Sequence, residues 1–180
     1  YFIDGPLCKA LKSGGVLLIN ELNRLPEATL NVLLPVLDEG VVIVPKLGKV
    51  SASKGFLCIC TQNMSDYIGA SMLSEAILDR TERIEIHYQS QEEECRIVSL
   101  QAQNNPSTDL INKSVALTRS TRDDPRFSRG ASVRAAIAIA ELAVEIGFQK
   151  AALVALPSRC KLKEKSDWPE LLTDLEKKRT

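Results

Sequence analysis

The sequence predicts an α/β domain with a mostly parallel sheet, followed by an all-helical region. Three observations predict it. Two short apolar runs, Val16 to Ile19 and Phe56 to Cys60, end abruptly in polar residues, Asn20-Glu21 and Thr61-Gln62-Asn63. Uninterrupted runs of this length suit strands buried on both faces, as in a parallel sheet. Around them the apolar spacing turns helical, so strands and helices alternate. From Ser90 onward helical patterns follow one another without a strand signal.

Taken in order, Tyr1-Phe2-Ile3 reads as a strand. A natural start rarely opens inside one, so the chain is expected to be a fragment or a trimmed sequence. Asp4-Gly5-Pro6 is a turn with proline at a helix start. Leu7, Ala10 and Leu11 give that helix an apolar face, and Gly14-Gly15 stops it. After the strand Val16 to Ile19, Pro26 opens a second helix with Glu27 in its first turn, favourable against the helix dipole. Leu30, Leu33, Leu34 and Leu37 share one face. Pro35 should kink this helix and Gly40 should end it. Val41 to Val44 and Lys49 to Ser53 flank Pro45–Gly48 and read as a β-hairpin, locally basic through Lys46, Lys49 and Lys54. After the strand Phe56 to Cys60, a loop rich in Ser, Asp and Gly leads to a helix near Ser74 to Asp79. A third strand is expected at Arg83 to His87.

The composition then changes. Ser90 and Glu93 form a capping box for a helix running to about Gln103. A second helix is expected from about Asp109 to Ser120, then a polar loop from Thr121 to Ser128. Val133 to Ile146 is strongly helical, and Ala151 to Leu156 gives a further short helix. Beyond Cys160 the chain is charged, with one amphipathic helix at best over Ser166 to Arg179. This divides the chain into an α/β part (1–89), a helical part (90–160) and a charged tail (161–180).

The 180 residues are 44% hydrophobic, enough to bury a core. Twenty-three basic residues balance 23 acidic ones, so no net field draws the chain to nucleic acid or a membrane surface. No apolar stretch reaches transmembrane length and no signal peptide is visible. The five cysteines lack CxxC spacing. Cys58 and Cys60 alternate along a strand and face the same side; core thiols of a reducing compartment explain the cysteines better than disulfides or zinc. A single histidine, His87, argues against a histidine-based metal site or triad.

Polar groups at the C-terminal ends of parallel strands sit where open α/β sheets bind ligands. An acid there, Glu21, can hold Mg²⁺ through water or activate a water against a phosphate. The ordered set GPLCKALKSGGVLLINELNRLPEATLNVLLPVLDEG, FLCICTQN, LSEAILDR, QEEE and GASVRAA resembles the MoxR-type branch of the AAA+ ATPases over residues 3 to 157. The resemblance implies a P-loop NTPase-type parallel sheet followed by a helical lid, with ATP and Mg²⁺ as cofactors. It implies that Val16 to Glu21 is the Walker B strand and Glu21 the general base. Asn20 stands where the family has a metal-binding aspartate, so strong Mg²⁺ binding is in doubt. Asn63 matches sensor 1, which positions the attacking water. Arg80 matches the arginine finger, although Thr81 replaces the usual aromatic and Arg83 is a possible substitute. Arg134, at the start of a lid helix, matches sensor 2. Asn23 and Arg24 resemble the residues after Walker B.

No GxxxxGK[ST] occurs in the chain. That loop supplies most of the phosphate grip, so the chain alone is expected to bind ATP poorly and the intact protein to continue upstream. The family implies a cytoplasmic, hexameric, chaperone-like ATPase that remodels or activates partner complexes, often von Willebrand A domain proteins. It implies no nucleic acid and no membrane. The alternative is a degenerate, non-hydrolysing module that serves as a nucleotide-gated or structural interaction domain. Asn20 and Thr81 favour that alternative; Glu21, Asn63 and Arg134 favour the motor.

Overall fold

A computed structural model of the chain describes residues 3–45, 47–63 and 73–177. The opening strand at Tyr1-Phe2, Lys46 of the hairpin, the polar loop over 64–72 and the last three residues of the tail lie outside the described residues. The chain forms two compact units, Tyr1–Glu85 and Ile86–Thr180.

The first unit runs α1 (Pro6–Ser13), β1 (Val16–Ile19), a short 3₁₀ turn at Leu22–Arg24, α2 (Glu27–Glu39), β2 (Val41–Val44), β3 (Gly48–Ser51), β4 (Leu57–Cys60) and α3 (Glu75–Leu78). Strands β1 and β4 pair in parallel with Val16 opposite Leu57 and Ile19 opposite Cys60. Strands β2 and β3 form the expected antiparallel hairpin, with Val42 opposite Val50. Cys8 and Leu11 of α1 pack with Val36, Val42 and Val50. The four leucines of α2 turn inward with Leu22 and Ile77. Helix α2 runs through Pro35 to Glu39, and the Gly40 amide caps it by donating to the Pro35 and Val36 carbonyls.

Gly14 ends α1 at φ +68, and a Cβ there would lie 2.3 Å from the Lys54 carbonyl oxygen. A left-handed backbone and a close approach of chain thus meet at one residue.

Two expectations fail in this unit. The strands are not buried on both faces: Val16, Leu18, Leu57 and Ile59 are 59, 57, 52 and 44% exposed. Among the described residues β1 and β4 pair only with each other, which leaves these four side chains about half exposed. Nor is Arg83 to His87 a strand. Its alternation of aliphatic and charged residues has the right period, but no neighbouring strand among the described residues accepts its hydrogen bonds. Ile84 and Ile86 stand 84 and 87% exposed.

The second unit contains α4 (Gln91–Gln101), α5 (Thr108–Asp123), β5 (Phe127–Arg129), α6 (Val133–Ile146), α7 (Phe148–Ala155), β6 (Lys161–Leu162) and α8 (Trp168–Lys177). The capping box is formed: Ser90 Oγ accepts from the Glu93 amide at 3.2 Å while the Ser90 amide donates to Glu93 Oε2 at 3.1 Å. The region is not all helical, because β5 and β6 pair antiparallel. The expected loop over Thr121 to Ser128 is therefore the last turn of α5 followed by β5. Sequence patterning misses such strands because three and two residues carry too little periodicity. The charged end of the chain docks: Leu171, Leu172 and Leu175 of α8 are buried with Leu117, Phe127, Ala135, Ile139 and Leu156. Arg126 reinforces the docking, with two bonds to Asp124 at 2.9 Å and one to Asp174 of α8 at 3.2 Å.

Glu94 is 1% exposed. Its carboxylate meets Arg122 Nη1 at 2.8 Å and Arg119 Nη1 at 3.1 Å. Arg119 also donates to the Gln89 carbonyl, and the Arg122 guanidinium lies 3.8 Å over the Tyr88 ring. Arg122 passes so close to Gly130 that a Cβ there would fall 2.6 Å from the Arg122 Cα.

Gly14→Ala should destabilise the first unit by roughly 1–2 kcal/mol from backbone conformation alone, and by more once the contact with Lys54 is counted. The urea midpoint reads this. Glu94→Ala should cost the second unit about 3–5 kcal/mol, because it leaves Arg122 buried without its counter-charge. Thermal unfolding with both units monitored should show the loss confined to the second.

Candidate functional site

The site begins with the parallel pair. Strand β1 delivers Asn20 and Glu21 at its C-terminal end, and β4 delivers Thr61, Gln62 and Asn63 at its own. The two ends are joined through Thr61. Its amide donates to the Ile19 carbonyl at 2.9 Å, and its carbonyl accepts from the Leu22 amide at 2.9 Å. Its hydroxyl accepts from the Glu21 amide at 3.1 Å and donates to Asn20 Oδ1 at 3.3 Å. Both Asn20 and Glu21 stay exposed.

Glu21 adopts φ 55 and ψ 50, left-handed backbone that a non-glycine residue enters at a cost of about 1–3 kcal/mol. The bonds through Thr61 hold it there. The conformation turns the chain sharply from β1 into the Leu22–Arg24 turn, whose Leu22 is buried under α2. The Glu21 carboxylate meets Arg24 Nε at 2.9 Å, an exposed pair.

Asn63 lies two residues beyond Thr61 and is exposed. Arg80 follows α3. Its Nε donates to Asp38 at 2.6 Å and its Nη1 to the Ala76 carbonyl at 2.8 Å, so the last turn of α2 holds it. The neighbouring Thr81 hydroxyl donates back to the Ile77 carbonyl at 3.0 Å. Arg83 pairs with Glu85. Arg134 sits exposed in the first turn of α6, in the second unit. The structure thus brings together Asn20, Glu21 and the Thr61–Asn63 segment, and holds Arg80 against α2 within the same unit. Sequence reasoning passed over Thr61 and Asp38. The first was signalled by the polar cluster but not by any register; the second carried no local signal.

The donor set at the end of β1 is one carboxylate and one amide oxygen. That suits a Mg²⁺ ion held through water, since Mg²⁺ keeps several waters and takes one or two carboxylates beside substrate phosphates. Among the described residues no group of three or more His, Cys, Asp or Glu is placed to hold a metal by itself.

In open α/β sheets ligands bind outside the carboxyl ends of parallel strands, which is where this carboxylate and these amides lie. Residues 1–81 match the family described as the AAA domain, dynein-related subfamily. Over these residues the chain is similar to AAA-domain proteins. Gas vesicle ATPase GvpN of Haloferax mediterranei is 33% identical over 144 residues, 78% of this chain and 41% of that protein. Gas vesicle ATPase GvpN2 of Halobacterium salinarum is 35% identical over 103 residues, 54% of this chain and 29% of that protein. An uncharacterized protein of Staphylococcus saprophyticus is 31% identical over 156 residues, 83% of this chain and 59% of that one. The chain therefore spans 29 to 59% of the length of these relatives.

Thr61→Val keeps the side-chain shape and removes both hydroxyl bonds. It should destabilise the first unit by about 1–3 kcal/mol, while Thr61→Ser should restore most of the loss. Denaturant titration of the three proteins checks this.

Beside the site, the Cys60 thiol and the Cys58 sulfur lie 3.8 Å apart. With Cys60 donating, this bond draws the Cys58 thiol down to about 7 against the opposing effect of burial. The same bond, burial and the charge on Cys58 push Cys60 up. Burial pushes Cys160 up to about 11. Iodoacetamide should therefore label Cys58 first, at a rate that rises as pH passes through about 7, and leave Cys160 unlabelled until the protein unfolds. Peptide mass spectrometry across a pH series reads both.

Proposed function

We propose that this chain is the C-terminal part of the nucleotide-binding domain, together with the helical lid, of a MoxR-like AAA+ ATPase. The observation that carries the reading is the Thr61 junction, which sets Glu21 at the end of one parallel strand beside the segment leading to Asn63 at the end of the next. The relatives of Haloferax mediterranei and Halobacterium salinarum are named gas vesicle ATPases, which supports the reading.

In this reading Asn20 and Glu21 hold Mg²⁺ through water. ATP would supply the phosphoryl group, and Mg²⁺ would neutralise the charge that develops on it. The Glu21 carboxylate accepts a proton from the attacking water, and the Asn63 amide orients that water. Arg80 supplies positive charge toward a site on a neighbouring subunit, its guanidinium held in place by Asp38 and the Ala76 carbonyl. Arg134 couples nucleotide to the lid. The main phosphate grip is assigned to sequence outside these 180 residues, because they contain no GxxxxGK[ST] and span only part of their relatives.

The assembly proposed is a cytoplasmic homo-oligomeric ring, hexameric, with a protein client such as a von Willebrand A domain protein, and with no nucleic acid or membrane partner. Among the described residues no helix is long and apolar enough to cross a membrane. A second reading, a non-hydrolysing nucleotide-gated module, is favoured by one observation. Asn20 offers the ion no charge and already accepts a bond from Thr61.

Steady-state ATP hydrolysis by the intact protein that carries this chain separates the two. The motor reading expects Mg²⁺-dependent turnover that Glu21→Gln lowers by about 100- to 10,000-fold, as loss of a general base does. Nucleotide binding without turnover in the folded oligomer would establish the second reading.

A further inference from the structure

The Cys58 and Cys60 pair on β4 is not used by the nucleotide reading and does not depend on it. The two residues are adjacent on one face of the strand, half-buried, with their sulfurs 3.8 Å apart. Cys60 packs against the cluster of Leu22, Leu30, Leu33 and Ile77, and Cys58 lies one step back along the strand. All five cysteines are free thiols.

Two chemistries are open to such a pair. A disulfide needs Cβ atoms about 3.8 Å apart. Residues two apart in a strand are separated by about 6.6 Å with their side chains parallel. Closing the bond would therefore require β4 to fold up, and β4 is held by its ladder to β1. Chelation makes no such demand. A tetrahedral ion with metal–sulfur bonds of about 2.3 Å places two sulfurs about 3.8 Å apart, the separation already present.

We propose that Cys58 and Cys60 form a bidentate dithiolate site for a soft, thiophilic divalent metal ion of the Zn²⁺ or Cd²⁺ class. Binding removes one proton from each thiol to solvent and forms two metal–sulfur bonds. No electron is transferred. Among the described residues no third His, Cys, Asp or Glu joins the pair, so water or an added ligand completes the coordination. The thiol–thiol bond assists, since the first proton leaves near neutral pH. Cys60 directly precedes Thr61, so an ion here would sit one residue from the junction of the two strand ends.

The test is Cd²⁺ titration of the reduced 180-residue chain, followed by the thiolate-to-cadmium charge-transfer absorption. One equivalent should bind. Cys58→Ser and Cys60→Ser should each weaken binding by more than about tenfold, since losing a ligand costs more than losing its outer-shell partner. Cys95→Ser should bind as the unmutated chain does. A second measurement needs no variant. Phenylarsine oxide condenses with two neighbouring thiols, forming two arsenic–sulfur bonds and releasing one water, and mass mapping should find it bridging Cys58 and Cys60. Absence of cadmium absorption in the unmutated chain, binding that persists in Cys58→Ser, or an arsenical located elsewhere would overturn the proposal.

Discussion

Four hydrogen bonds made by Thr61 determine the shape of the first unit's polar end. Two come from its backbone and continue the β4 ladder onto Ile19 and Leu22. Two come from its hydroxyl, which is at once acceptor for the Glu21 amide and donor to Asn20. Without them Glu21 would have no reason to hold a left-handed backbone, a conformation that carries a cost in every molecule. With them, the chain leaves β1 at a fixed angle, Leu22 drops into the α2 cluster, and the Glu21 carboxylate stays in solvent. A catalytic or metal-binding acid must have its backbone fixed more tightly than its side chain, and here the neighbouring strand does the fixing.

The second unit relies on a different device. Its helices pack through small residues as well as leucines, with Ala135, Ala140, Ala151, Ala152 and Ala155 buried at their contacts. Such flat contacts specify little by shape. The ionic cluster of Glu94 with Arg119 and Arg122 adds directional contacts, and Gly130 leaves the room that Arg122 occupies. The same two arginines reach Tyr88 and Gln89, so the segment entering the unit is tied down before its first helix begins.

Much of this was legible in the residues themselves, for reasons that can be named. Helices α1, α2 and α4 announce themselves by start and stop residues, and α6 by its apolar pattern, because both signals are local. The parallel strands were legible as runs of aliphatic residues ending in polar ones. Their exposure was not, since burial depends on what lies across the sheet. Arg83 to His87 shows the converse: alternation is local, but a strand exists only where another offers a ladder. The small β5–β6 pair joins residues more than thirty positions apart, too far for any window to see. At the site, Asn20, Glu21 and Asn63 were visible as strand-end polar residues. The clasp of Thr61 and the anchoring of Arg80 by Asp38 join residues about forty apart and required the fold.

Among the described residues, the half-exposed aliphatic side chains of the β1–β4 pair also bear on how the chain behaves in solution. Charge usually keeps copies of a protein apart, but this sequence is formally neutral with an isoelectric point near 6.8. Near neutral pH, Val16, Leu18, Leu57 and Ile59 therefore meet their counterparts on other molecules with little long-range repulsion between them. Such a patch on a neutral chain favours association, and moving the pH away from the isoelectric point, rather than adding salt, is expected to favour dispersal.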